Sequence, residues 1–180
     1  MNALQTGSPR QTNRLTNVVL VAATMTTGVV TGVFFLYATT IMPALHKLDD
    51  KTFVASFQAM DRAIINPLFM GSLFGALILM AVAAFQHRGQ ALRGALPWLV
   101  VATVLYFIGI VVTMAVNVPL NDAMKAAGDP DHIANIAKVR DDFHEGRWVA
   151  WNIVRTLLSL VSFGILAWIS VAYRARRTAA

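Results

Sequence analysis

Residues 148–173 read WVAWNIVRTLLSLVSFGILAWISVAY, an apolar run interrupted by one charge, Arg155. A bilayer core demands about 20 apolar residues of a helix, so this run is long enough to span one. With Trp148 at zero on a wheel of about 100° per residue, Asn152, Arg155, Ser159 and Ser162 fall within roughly 60° of it. So do Asp141, His144 and Glu145 from the preceding segment, if one helix continues through them. The other faces are Val, Ile, Leu and Ala. Arg155 lies about eight residues beyond Arg147, roughly 12 Å deeper along a helix. At that depth an Arg costs about 3 kcal/mol on insertion scales unless it pairs or meets water. A lone intramembrane Arg can snorkel or make a structural pair. With Asn152 and Trp148 on its face, an interior polar pocket is the better account.

Three further runs are free of charge. They cover residues 16–45, 63–86 and 94–121. The expected fold class is all-α: an integral membrane four-helix bundle forming one transmembrane domain over residues 1–180. Spans are expected at about 17–42, 66–86, 96–117 and 148–173, after a mobile cytoplasmic tail at residues 1–14. The first run follows Arg10 and Arg14 but exceeds the ~7–15 residues of a signal-peptide core, so it reads as a retained span. Short extracytoplasmic helices are expected between spans one and two and between spans three and four. Asp49 or Asp50 can cap the first, whose apolar positions are Phe53, Phe57, Met60 and Ile64. Asp129 as cap and Pro130 at the first position would start the second, running through Arg140 and bending at Gly146 into span four. Asn66-Pro67 opens span two. Asn117-Val-Pro119-Leu-Asn121 ends or kinks span three. Gly28/Gly32 and Gly71/Gly75 form small-residue pairs suited to close helix approach.

Charge orients the bundle. The N-terminal tail, the connection after span two and the C-terminal tail carry seven Lys/Arg (Arg10, Arg14, Arg88, Arg93, Arg174, Arg176, Arg177) and no acid. The connections at residues 46–62 and 122–147 carry seven Lys/Arg and all nine acids, which leaves them at −2. The acid-free basic segments are short and flank helix ends, where the positive-inside bias acts most strongly. Both termini are therefore expected in the cytoplasm, with both longer loops outside, in a plasma (inner) membrane. The net charge of +6 arises on the inner rim, facing anionic lipid. Basic residues scattered over three short segments argue against a nucleic-acid partner. The expected partners are the lipid bilayer and a hydrophobic small molecule, and four spans per chain also suit a homo-oligomer. Cysteine is absent, which excludes disulfides, thiolate nucleophiles and zinc–thiolate sites.

Span three offers a face to match span four: Thr103, Tyr106, Thr113 and Asn117 project together. Asn117 and Asn121 bracket Pro119, and their amides either satisfy the broken helix end or reach the pocket beside Arg155. His46 and His144 lie at outer helix ends, while His87 and His132 read as solvated loop residues. No imidazole lies within the bundle to hold a bis-His haem. His46, His144, Glu145 and an Asp would be compatible with a metal ion at the outer end. However, the paired Glu-x-x-His of a di-iron bundle is missing, and no cofactor is favoured.

Taken together, Asn117-Val-Pro-Leu-Asn121 and Phe143-His-Glu-Gly-Arg-Trp148-Val-Ala-Trp-Asn152-Ile-Val-Arg155-Thr resemble the anthrone oxygenase-like family of small four-span membrane proteins. That family's pattern is an Asn-x-Pro-x-Asn after the third span, then a Trp, an Asn and an Arg at helical spacing opening the fourth. Asn66-Pro67 fits it too. The resemblance covers nearly the whole chain in span number and order, and it carries over to Asn117, Pro119, Asn121, Trp148, Asn152 and Arg155. Members include fungal enzymes that oxidise an anthrone to an anthraquinone, but most relatives are of unknown function, so membership alone does not establish the reaction. The resemblance thus implies a membrane oxygenase with Arg155 and Asn152 as catalytic candidates, and His144 and His46 join them on their place at the outer helix ends, not on a family motif. Asn117, Asn121, Trp148 and Tyr106 would bind the substrate. In this reading a histidine is the base, Arg155 with the Asn amides stabilises an oxyanion, and Trp148 and Tyr106 stack the ring system. The competing reading is a non-enzymatic protein that binds or transports an anionic lipid or small molecule at Arg155. Polar residues gathered at one end, with apolar inner halves, favour the enzyme over a path across the membrane.

Overall fold

The computed structural model describes residues 9–178. The chain is all-α, with no strand among the described residues. Helices run over α1 (Pro9–Leu36), α2 (Met42–Leu45), α3 (Asp50–Ile64), α4 (Pro67–Gln86), α5 (Leu96–Val112), α6 (Val118–Ala126), α7 (Ile136–Asp142) and α8 (Glu145–Thr178). Four stretches are long and apolar enough to cross a membrane: Arg14–Leu45, Pro67–Gln86, Arg93–Ala126 and Ile136–Ala172. α1 is already helical from Pro9, so only residues 1–8 of the expected tail lie outside the described residues.

α1 packs on α4 and α8, and α5 packs on α8 and α4, which closes a four-helix ring. Leu20, Val30, Leu73, Met80, Leu99 and Leu166 fill its centre. Val18, Met25, Ile78, Phe107 and Leu157 face outward, exposed, as a lipid-facing surface requires. The glycine pairs do not act as pairs. A Cβ on Gly28 would sit 3.0 Å from the Phe163 ring, so this glycine does admit span four. Gly32, Gly71 and Gly75 have open space where a Cβ would go.

The two halves share one plan: a long span, a short helix, then a second span. In each half the long span widens into one π-turn just before a proline. Tyr37–Ile41 precedes Pro43, and Thr113–Asn117 precedes Pro119. The N–H groups of Met42 and Val118 reach back five residues, to the carbonyls of Tyr37 and Thr113. A proline ring clashes with the carbonyl four residues back, and one extra residue in the turn relieves that clash without ending the helix. Span three therefore bulges at its Asn-x-Pro-x-Asn stretch and continues to Ala126.

α3 and α7 cover one end of the bundle. Asp49 caps α3, accepting from the Thr52 N–H at 3.0 Å and the Thr52 hydroxyl. Those bonds, the hydroxyl's first, hold its carboxyl below the usual range. Asn66 accepts from the N–H groups of Leu68 and Phe69 and opens α4. The other expected cap fails. Asp129 accepts from the Asp131 N–H in a local turn, and α7 starts only at Ile136, capped by Asn135. The joint into span four is His144, at φ 51°, and not Gly146. That break also takes Asp141 off the helix carrying Arg155. Arg140 straps α7 down, donating to the carbonyls of Leu48 and His46 and to Asp50 while stacking 4.3 Å from the Phe53 ring centre. Gln58 ties α3 to α6 through the carbonyls of Met124 and Gly128. Beneath these helices, Phe53, Phe57, Phe143 and Trp148 form an aromatic plug.

Candidate functional site

Under the plug, between the covered end and the bundle centre, lies a cavity of about 220 Å³. Its walls come from all four spans and from α3. Phe34 and Tyr37 come from span one, Phe57 and Asp61 from α3, Phe69 and Met70 from α4. Span three and α6 give Thr113, Asn121 and Lys125, and α8 gives Trp148 and Arg155.

Arg155 is 7% exposed and faces the interior. Its Nε donates to Asn152 Oδ1 at 3.0 Å and its Nη1 to Thr113 Oγ1 at 3.3 Å. Its guanidinium lies 4.2 Å from the Phe34 ring centre and 5.3 Å from that of Trp148. Among the described residues no carboxylate forms an ion pair with it, and Nη2 has no hydrogen-bond acceptor. Asn152 is itself fixed, since its Nδ2 donates to the Phe34 carbonyl at 3.2 Å and so presents Oδ1 to Arg155. The outcome is a planar cation held by neutral dipoles and π-faces, with donor capacity left at the cavity wall.

A second polar group lines the cavity nearer the covered end. The Trp148 indole N–H donates to Asn121 Oδ1 at 2.7 Å, and Asn121 Nδ2 donates to Asp61 Oδ1 at 2.6 Å. An indole can only donate, so it fixes the Asn121 amide and turns that amide's NH₂ toward Asp61. Lys125 Nζ lies 2.9 Å from Asp61 Oδ2 and 3.0 Å from Asp122 Oδ1. Asp61 is 6% exposed. Tyr37 also lines the cavity, and its ring lies 5.9 Å from that of Trp148.

The residues singled out from the sequence divide into three sets. Arg155, Asn121 and Trp148 line the cavity, and Asn152 positions Arg155 from behind. Asn117 is buried but braces span three against span four, its Nδ2 donating to the Trp148 carbonyl at 3.2 Å. Tyr106 is not at the cavity: its hydroxyl donates to the Leu73 carbonyl, joining spans two and three. His46 and His144 lie elsewhere again, in a separate open cleft outside α7 and the start of α8, with Asp50, Arg140 and Glu145. The His46 side chain is 72% exposed and its Nδ1 lies 3.0 Å from Glu145 Oε1. Among the described residues, no three His, Asp or Glu side chains group as a metal would need. His87, expected in solvent, is buried at the end of α4 with Nδ1 2.7 Å from the Ala83 carbonyl.

Phe34, Tyr37, Asp61 and Lys125 also line the cavity and do not stand out in the sequence by motif. Asp61 carried a legible signal. It follows Phe57 by four residues and precedes Ile64 by three, which places a carboxylate on the apolar face of α3.

A family model described as anthrone oxygenase matches residues 66–165, more than half of the chain. The matched stretch contains Asn117, Asn121, Lys125, Trp148, Asn152 and Arg155, while Phe34, Tyr37 and Asp61 precede it. No curated protein and no solved structure matches the chain.

Proposed function

The chain belongs to the anthrone oxygenase family, and from that premise we propose that it is a membrane-embedded oxygenase. Its substrate would be a flat, hydrophobic, anthrone-like aromatic that dissolves in the bilayer. One observation carries this reading: a buried guanidinium without a carboxylate partner among the described residues, held between two rings at the wall of a mainly apolar cavity. Such a group stabilises negative charge that develops on a ligand oxygen, and it does so more strongly where water is excluded.

An anthrone is a ketone whose ring also carries a CH₂ between two aryl groups. Removing one CH₂ proton places the electron pair on the ketone oxygen, where Arg155 and Tyr37 can receive it. The anion passes its electrons to O₂, one at a time, and forms a C–O bond. A proton on the outer oxygen completes a hydroperoxide. Loss of the second proton from that carbon, with cleavage of the O–O bond, leaves C=O and releases hydroxide, which leaves as water. In sum, anthrone and O₂ give anthraquinone and H₂O.

The alternative is a binding or transport protein for an anionic lipid or small molecule. Cavity size favours the enzyme. At about 220 Å³ the site exceeds the ~150 Å³ that admits a benzene ring, yet it holds only on the order of seven waters. That suits a few fused rings better than an acyl chain. We place the protein in a plasma membrane with both termini cytoplasmic and the covered end outside, on the acid-free basic segments of the opposite rim. A reporter fused after Ala180 tests this, and a periplasmic or extracellular signal overturns it. The functional test is purified protein in nanodiscs with anthrone and air. Anthraquinone formation and O₂ uptake in equal amounts are expected. Anthrone binding without turnover, or tight retention of an anionic lipid instead, would favour the alternative.

A further inference from the structure

We infer that Asp61 is the base that takes the substrate's proton, with Asn121, Trp148 and Lys125 holding its carboxylate at the cavity wall. This rests on the oxygenase reading and supplies the proton acceptor that reading requires.

The histidines are poorly placed for that task. His46 and His144 line the open outer cleft, and neither lines the cavity that contains Arg155. Two carboxylates do line that cavity, Asp61 and Asp122. The Asp122 side chain is 61% exposed and that of Asp61 is 7%. A base must reach the substrate's proton in the same pocket that receives the resulting charge. Asp61 is buried and lines the cavity that Arg155 and Tyr37 also line.

Its surroundings are those of a positioned base. Asn121 spends its Oδ1 on the Trp148 N–H, so its NH₂ is committed to one oxygen of Asp61. Lys125 takes the other oxygen and is a quarter exposed, so it can move toward Asp122 when Asp61 is protonated. The proton passes from the substrate CH₂ to an Asp61 oxygen, and the electron pair left behind is drawn to the oxygen facing Arg155. The second proton, lost as the O–O bond breaks, follows the same route. Asp61 lies on α3, a surface helix outside the spans, so the base and the cation sit on separate elements.

The test separates proton removal from oxidation. Protein in nanodiscs is incubated with anthrone under argon in deuterated buffer, and deuterium entering the CH₂ is measured by mass spectrometry. Anthrone binding is measured in parallel. Wild type should exchange well above the buffer rate. Asp61→Asn keeps the shape and should bind anthrone as wild type does, while exchange falls by a factor of about 10²–10⁴. Asp61→Glu, which keeps the charge and displaces it, should recover part of the rate, and it carries the test if the Asn variant does not assemble. Exchange by Asp61→Asn at the wild-type rate, or by Asp61→Glu undiminished, overturns the assignment. If Asp61 merely ties α3 to α6, binding and thermal stability fall together while exchange per bound anthrone holds, which also overturns it. Wild type that oxidises anthrone in air yet exchanges no deuterium under argon refutes the role of Asp61 alone. Wild type that does neither removes the oxygenase reading itself.

Discussion

Arg155→Leu separates a functional cation from a structural one. In a structural ion pair, removing one member strands the other and costs about 3–5 kcal/mol. Among the described residues Arg155 has no carboxylate to strand. Its neighbours lose two hydrogen bonds. Thr113 is little affected, because its hydroxyl still donates to the Gly109 carbonyl at 2.8 Å. Asn152 Oδ1 is left without a donor, at about 1–3 kcal/mol. Lost stacking on Phe34 and Trp148 adds about 1–2 kcal/mol. Against this stands the cost of holding Arg in a span, about 2.5–3.5 kcal/mol on insertion scales. The terms nearly cancel, so the Leu variant should fall within about 2 kcal/mol of wild type while anthrone oxidation disappears. Arg155→Lys keeps the charge but loses the planar fork and the ring stacking. Its kcat should drop by a factor of about 10²–10³, as for the loss of one oxyanion donor. The assays are unfolding in a fixed detergent and anthraquinone formation per folded molecule. A Leu variant destabilised by 3–5 kcal/mol, with unchanged turnover per folded molecule, would refute the reasoning and make Arg155 part of the scaffold.

Trp148→Phe keeps most of the aromatic plug but removes the N–H that fixes Asn121, so about 1–3 kcal/mol of stability should go. The kcat should fall at least tenfold with the KM for anthrone little changed. A change in KM alone would contradict the positioning role. His144→Gly should fold at least as well as wild type and gain up to about 1 kcal/mol, since φ 51° suits glycine; loss of turnover in this variant would return a histidine to the chemistry. Gly28→Leu should prevent assembly or lower the melting temperature markedly, because its Cβ already meets Phe163 at 3.0 Å, whereas Gly32→Ala should be nearly neutral. Equal effects from the two would show that the pair acts as one interface after all.

The number of spans, the all-α class, a cap at Asp49 or Asp50, the start of span two at Asn66-Pro67 and the burial of the Arg155 face could be read from residues 1–180 alone. Each rests on local chemistry or on the 3.6-residue period. A run of about 20 uncharged residues has few other solutions in a membrane protein, and a wheel shows which side chains share a face. Faces do not say where along the bundle two helices meet, and that is where reading by sequence failed. Tyr106 shares a face with Asn117 but lies about three turns away, and there it bonds span two instead of the cavity. The π-turns before Pro43 and Pro119 add a residue to the count and shift the faces that follow, which no regular wheel anticipates. His144 shares the wheel position of Arg155 only if the helix is continuous, and the break at its own φ removes it. Asp61 comes to the cavity only because α3 folds back over the bundle end, where Gln58 and Lys125 anchor it to α6. Sequence alone supplied the cation, since an arginine within a span must either find an interior or pay to insert. Tertiary structure alone brought Asp61 to the cavity that holds Arg155, since the meeting of residues about 90 apart in the chain depends on packing between helices.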